Sequence, residues 1–215
     1  MKKPVFIVSA ALLLLVFVLG TLLYKSEKLD KSAKMAAQNQ TFLAREHAPR
    51  LGPADAKVHI VEFLDPACET CRSFYPFVKD LMKANRDKIR LFLRYAPFHA
   101  GSDNVVRILE AARKQDKFWE TLEAVLATQP RWAPNHRAEV ELLWPQLGNL
   151  GLDFERIKRD MYTPEIDRVI AQDVADAKAL NVTKTPEFFV NGRPLPSFGY
   201  EQLKKLVDDA VAKAY

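Results

Sequence analysis

The chain has 215 residues, 48% hydrophobic, 27% charged and 10% aromatic, which is room for one ordinary domain with a proper core plus an appendage. Its 32 basic and 27 acidic residues leave a net charge of +5 with no long single-sign block, so the balance reads as a solvated surface and gives nucleic-acid binding little support. The only two cysteines, Cys68 and Cys71, are separated by two residues; a disulfide between them closes a tiny loop and staples little. A chain without spare thiols suits an oxidising compartment, where a third cysteine would invite wrong pairing.

Lys2 and Lys3 open the chain, and Pro4 to Tyr24 follows with no charged residue. That run reaches the roughly 20 apolar residues needed to cross a hydrocarbon core. It reads as an uncleaved signal anchor over residues 1–24. A cleaved signal peptide and a buried helix are the alternatives, the only weak cleavage site lying after Gly20. Lys25, Lys28, Lys31 and Lys34 flank the other end, so charge alone does not orient the span. Cysteine usage does: it places the rest of the chain outside the cytoplasm, in a bacterial periplasm or its equivalent. Residues 25–48 read as a polar stalk, and the folded domain is expected over residues 49–215.

Lys57 to Leu64 alternates and is rich in β-formers, which predicts a strand. Cys68 to about Asn85 carries Phe74, Phe77, Val78, Leu81 and Met82 at helical spacing. Ile89 to Tyr95 alternates apolar and basic residues and reads as a second strand. The sum is a βαβ unit with the CxxC at the start of its helix. Helical periodicity follows over Asn104–Lys114, Lys117–Ala127, Arg137–Leu147 and Asp153–Met161, and Pro164 can open a further helix through Ala179. Glu187 to Val190 reads as a strand, Asn191-Gly192 as a hairpin turn, and Arg193 to Phe198 as the returning edge strand. Tyr200 to Ala214 closes the domain as an amphipathic helix. The fold class is α/β: a thioredoxin arrangement with a helical insertion over about residues 102–180.

Only a thiolate attacks disulfides, and a helix N-terminus favours the negative charge. Cys68 at that position becomes the nucleophile, and Cys71, one turn later, stays close enough to resolve a mixed disulfide. A zinc site can use the same spacing but needs further ligands, and His47, His59, His99 and His136 are widely scattered. Redox chemistry is the stronger reading; no metal and no cofactor beyond the cysteine pair is called for.

VEFLDPACETC resembles the active-site strand and turn of the DsbA-like branch of the thioredoxin superfamily. TPEFFVNGRPL resembles that branch's cis-proline segment, KFWETLEAVLATQ its helical insertion, and LGPADAKVHIVEF the entry to the domain. The resemblance covers about residues 49–214. It implies a thiol–disulfide oxidoreductase with Pro186 as the cis-proline beside the cysteines. Thr185 is then free to pair with an extended substrate segment. Glu62, six residues before Cys68, matches the buried acid that takes the proton of Cys71, against the plainer reading of a glutamate on the strand's polar face. Pro76 matches a helix-kinking proline, structural in role, and Trp119 reads as core. Arg72 and His99 border the groove by position but read as surface or packing residues.

The pattern breaks at Glu69-Thr70, where strongly oxidising relatives carry Pro followed by a ring-bearing residue. Glu69 is expected to raise the pKa of Cys68 by like-charge repulsion, making this pair less oxidising than a dedicated disulfide donor. Expected partners are proteins or peptides bearing thiols or disulfides, with a membrane redox partner to restore the pair. Another class remains open: a non-catalytic chaperone or metal-holding assembly module of the cell envelope.

Overall fold

In the computed structural model, residues 45–215 are described throughout, preceded by positions 14, 19, 20, 34, 37–40, 42 and 43. Most of the anchor over residues 1–24 and much of the stalk lie outside the described residues. Among the described residues, no helix is long and apolar enough to cross a membrane.

Five strands form one sheet: β1 (Arg50–Leu51), β2 (Val58–Leu64), β3 (Ile89–Tyr95), β4 (Glu187–Val190) and β5 (Arg193–Pro194), in the order β1-β3-β2-β4-β5. β2 and β3 run parallel, as a crossover through helix α1 (Glu69–Ala84) demands, and every other pairing is antiparallel. The βαβ unit, β4 and the final helix α7 (Tyr200–Ala214) lie where the hydrophobic periodicity puts them.

Both faces of the sheet are covered. Val58 and Ile60 point to one side, with Ile89, Leu91, Phe188 and Val190, and pack under Phe74, Val78 and Leu81 of α1 and Leu203, Leu206 and Val207 of α7. Val61, Phe63, Phe92 and Phe189 point to the other and pack against Ala177 and Val182. The apolar-in, polar-out logic of a half-exposed sheet therefore does not hold for β2, whose residues 60 to 64 are all buried.

The insertion consists of α2 (Ser102–Arg113), α3 (Phe118–Trp132), α4 (Val140–Leu143), α5 (Phe154–Asp160) and α6 (Pro164–Ala179), with 3-10 turns at Pro134–His136 and Trp144–Leu150. Its core joins the end of the sheet through Leu64, Leu93 and Tyr95. Two expectations need correction. The helix expected over Arg137–Leu147 is a four-residue helix running into a 3-10 turn, because Pro145 lacks the N–H that would continue it. The returning strand expected over Arg193–Phe198 is only Arg193–Pro194, since two prolines in that stretch remove ladder donors. The turn before it is as expected: Asn191 and Gly192 have φ of 47° and 80°, the paired positive values of a two-residue hairpin.

A buried ionic cluster ties insertion to sheet. Arg94 on β3 is wholly buried and bonds Asp173 (Nε, 2.8 Å) and Asp176 (Nη2, 2.6 Å) of α6. Arg45 grips Asp176 with two further bonds, and His47 meets Asp173. Arg94 also donates to the carbonyls of Phe42 and Leu43, so Phe42 and Leu43 lie on the domain, with Leu43 and Ala48 both buried.

Candidate active site

The strand β2 ends at Leu64, and the chain turns through Asp65, Pro66 and Ala67 before α1 begins. Cys68 is the N-cap of α1, with extended backbone (φ −81°, ψ 119°), which aims its side chain across the open first turn. The N–H groups of Thr70 and Cys71 face its sulfur. From the other side of the fold comes the loop before β4, where the Thr185–Pro186 bond is cis and the Thr185 carbonyl lies 3.3 Å from Cys68 Sγ. Cys68, Cys71, Glu62, Thr185 and Pro186 are thus brought together from three elements. Both cysteines are free thiols, Cys68 only 5% exposed and Cys71 wholly buried.

The electrostatics divide the two sulfurs. The Cys71 thiol, bonding to the Cys68 sulfur, is the largest influence pulling the Cys68 pKa down to about 5; Thr185 and the two backbone N–H groups add to it, against the cost of burial. Cys71 moves the other way, well above its ordinary value, through burial first and then the neighbouring Cys68 and Glu62. One sulfur is built to be a thiolate and the other to keep its proton.

The repulsion expected from Glu69 does not prevail. Glu69 is exposed, so solvent screens its charge, whereas the donors that stabilise the thiolate touch the sulfur. The sequence weighted a neighbour in the chain over neighbours in space.

Glu62 shares a face of β2 with Ile60, beneath α1, and is completely buried. Neither carboxyl oxygen has a hydrogen-bond partner among the described residues. Burial, and then the charge of Cys68, raises its pKa to about 8. The polar-face reading of this glutamate fails because that face is under a helix. Pro76 lies within α1, exposed, and Trp119 is partly buried against the core.

Two side chains escaped the sequence reading. Gln129 of α3 is buried and donates from Nε2 to the carbonyls of Pro66 (2.8 Å) and Cys68 (3.0 Å), fastening the insertion to the active-site loop. A glutamine within an amphipathic helix carries no signal of such a contact. Asp65 is also buried, and its Oδ1 accepts the N–H of Ala67 at 2.8 Å, an Asx turn whose Asp-Pro signature was legible just ahead of the CxxC. Its Oδ2 meets the ring and backbone N–H of His99, which is more than a packing residue. Among the described residues no group of three or more His, Cys, Asp or Glu side chains is arranged to hold a metal ion.

Comparison with known proteins agrees with this geometry. The family described as Thioredoxin matches residues 44–209. Over 205 residues and 91% of each chain, the protein is 30% identical to a probable disulfide bond formation protein D of Bacillus anthracis. It is also 35% identical over 144 residues to a Na(+)/H(+) antiporter NhaA of Herminiimonas arsenicoxydans, but spans only 22% of that relative's length. Among solved structures, a thioredoxin-like oxidoreductase from Silicibacter pomeroyi aligns with a TM-score of 0.70 at 33% identity, over 82% of this chain and 98% of that one. BdbD of Bacillus subtilis, in its oxidised form, shares the fold at a TM-score of 0.68 and 22% identity, over 77% and 93% of the two chains. The chain belongs to the thioredoxin superfamily, as a DsbA-like thiol–disulfide oxidoreductase.

Proposed function

We propose that this enzyme exchanges disulfides with extracytoplasmic protein substrates, Cys68 acting as attacking thiolate and Cys71 as resolving thiol. The observation that carries the reading is the Cys68 sulfur, drawn down to a pKa of about 5 at the mouth of α1 and lying against the Thr185 carbonyl. The backbone at Thr185 and Pro186 is placed to receive an extended client segment by strand addition.

In the oxidising direction a client thiolate attacks Cys68 of the disulfide. The Cys68–Cys71 bond breaks, and the electron pair leaves on Cys71, whose high pKa makes it take up a proton at once. A second client thiolate then attacks the client sulfur of the mixed disulfide, and Cys68 departs as the stable thiolate. The client loses two electrons and the cysteine pair gains them; reduction is the same path reversed. Glu62 supplies and recovers the proton of Cys71. While Cys68 is a thiolate its charge helps keep Glu62 protonated. Once Cys68 enters a mixed disulfide that charge is gone, and Glu62 becomes a better base when Cys71 must be deprotonated.

The poise belongs between two extremes. A thiolate pKa of about 5 lies between the approximately 7 of thioredoxin and the approximately 3.5 of DsbA. The pair is therefore less oxidising than a dedicated disulfide donor, with a potential between about −270 and about −120 mV. The uncharged run from Pro4 to Tyr24 and the spare use of cysteine support a single-pass anchor in a bacterial inner membrane with this domain in the periplasm. A membrane redox partner would then restore the pair. The relative named as an antiporter, a membrane activity, is consistent with that setting.

Equilibration with glutathione should give a potential inside that interval, and catalytic insulin reduction should fall to background in Cys68→Ser. A potential at the strong-oxidant end would make the protein a disulfide donor. Unimpaired turnover by Cys68→Ser would end the proposal.

A further inference from the structure

Asp65 holds both cysteines by its own backbone. Its carbonyl accepts the N–H of Cys68 at 3.0 Å, and its N–H faces the sulfur of Cys71. A shift of this one residue would move the nucleophile's backbone and the resolving thiol's environment together. Its side chain is the fastening. The carboxylate is completely buried, with Oδ1 on the Ala67 N–H at 2.8 Å and Oδ2 on two donors of His99, the backbone N–H at 2.8 Å and ring Nδ1 at 2.7 Å. A buried carboxylate needs such donors or its desolvation goes uncompensated. The short Nδ1 contact to a carboxylate requires the proton on Nδ1 in the neutral ring as well. His99 comes from the loop between β3 and α2, and its ring stacks on His136 of the insertion, centroids 5.2 Å apart and planes 24° from parallel.

We propose that His99 is a positioning residue of the redox centre: by donating from Nδ1 to Asp65 it locks the backbone clasp on the two cysteines, chiefly for the resolving step by Cys71. The inference rests on the reading of Cys68 as attacker and Cys71 as resolver. Attack depends on donors at the Cys68 sulfur that His99 does not touch, namely the Thr70 and Cys71 N–H groups in the open turn of α1 and the Thr185 side chain. Resolution depends on Cys71, whose sulfur faces the Asp65 N–H.

Glutathione disulfide separates the steps. The Cys68 thiolate attacks one of its sulfurs, forming a Cys68–glutathione bond and releasing one glutathione thiolate, which is protonated. Cys71 then loses its proton, attacks Cys68 and expels the second glutathione. The probe gains two electrons in all and the cysteine pair loses them. The reduced full chain is mixed with the probe, quenched in acid and weighed by mass spectrometry over time, for wild type, His99→Ala, His99→Gln and His99→Asn. Asparagine can place an amide N–H near the position of Nδ1; glutamine keeps size and polarity but reaches further, and alanine has no donor.

The expected result is attack within about twofold of wild type in all four. Resolution should be slowed about tenfold in the alanine and glutamine variants, the scale of one charge-assisted hydrogen bond, so that the glutathione adduct accumulates. The asparagine variant should resolve within about threefold of wild type, by the same scale. Resolution at wild-type speed in glutamine, or equal slowing in asparagine and glutamine, overturns the role assigned to Nδ1. Should the alanine variant fail to fold, the comparison of asparagine with glutamine decides alone. A wild-type protein that forms neither a Cys68–glutathione adduct nor the Cys68–Cys71 disulfide refutes the parent reading instead.

Discussion

Cys68 and Glu62 are two acids that share one negative charge. Cys68 is drawn down to about 5 and Glu62 pushed up to about 8, so near neutral pH the sulfur is ionised and the carboxyl is not. Their effects on stability oppose each other. Glu62 holds its proton in the folded state up to about 8 but loses it near 4.5 when unfolded, so its contribution falls as pH rises through that window. Glu62→Gln removes the ionisation. Urea unfolding of the reduced enzyme should show the variant more stable than wild type at pH 9, by on the order of 3 kcal/mol, and little changed at pH 4. The same variant should resolve mixed disulfides about 10²-fold more slowly, since it cannot take the proton of Cys71. A gain in stability at both pH values would mean that burial of polarity, not ionisation, matters at this position. Glu62 also shows a limit of sequence reading: alternation put it on a face of β2 but could not say that a helix covers that face.

At the scale of elements, α1 was legible because its N-cap, Cys68, carries chemistry and its later residues carry an apolar stripe. The joint between the insertion and the sheet was not. It depends on Arg94, which in sequence is one basic residue in an alternating strand, meeting Asp173 and Asp176 some eighty residues on. A wholly buried guanidinium is tolerable only while its partners remain. Asp173→Ala removes a carboxylate that serves Arg94, His47 and the N–H of Tyr95 together. Thermal and urea unfolding should register a loss of about 3–5 kcal/mol, the cost of leaving a buried charge without its partner. A loss under about 1 kcal/mol would show that water or Asp176 compensates, and that the joint is not a principal source of stability. The failed helix over Arg137–Leu147 and the shortened last strand have a common cause: apolar spacing continues through Pro145, Pro194 and Pro196, but the backbone donors those elements need do not.

At the scale of the whole molecule, reduction changes stability because a stabilised thiolate exists only in the dithiol form. The depressed Cys68 pKa adds stability to the reduced protein that is complete above the unfolded thiol's value of 9.0 and is lost as pH falls through about 5. Differential scanning calorimetry should find the gap between reduced and oxidised melting temperatures growing in favour of the reduced form from pH 5 to pH 8. A gap independent of pH would mean that the thiolate contributes no net stability. The sequence by itself determined the redox pair, the βαβ frame that presents it, the helical insertion and the segment bearing Pro186, because each is written in local spacing or a short motif. Only the tertiary structure decided the pKa of Cys68, the burial of Glu62 and the parts played by Asp65, His99, Gln129 and Arg94. Those depend on which groups touch across dozens of residues, and electrostatic and hydrogen-bond energies are set by distance in space and exclusion of water, neither of which residue order encodes locally.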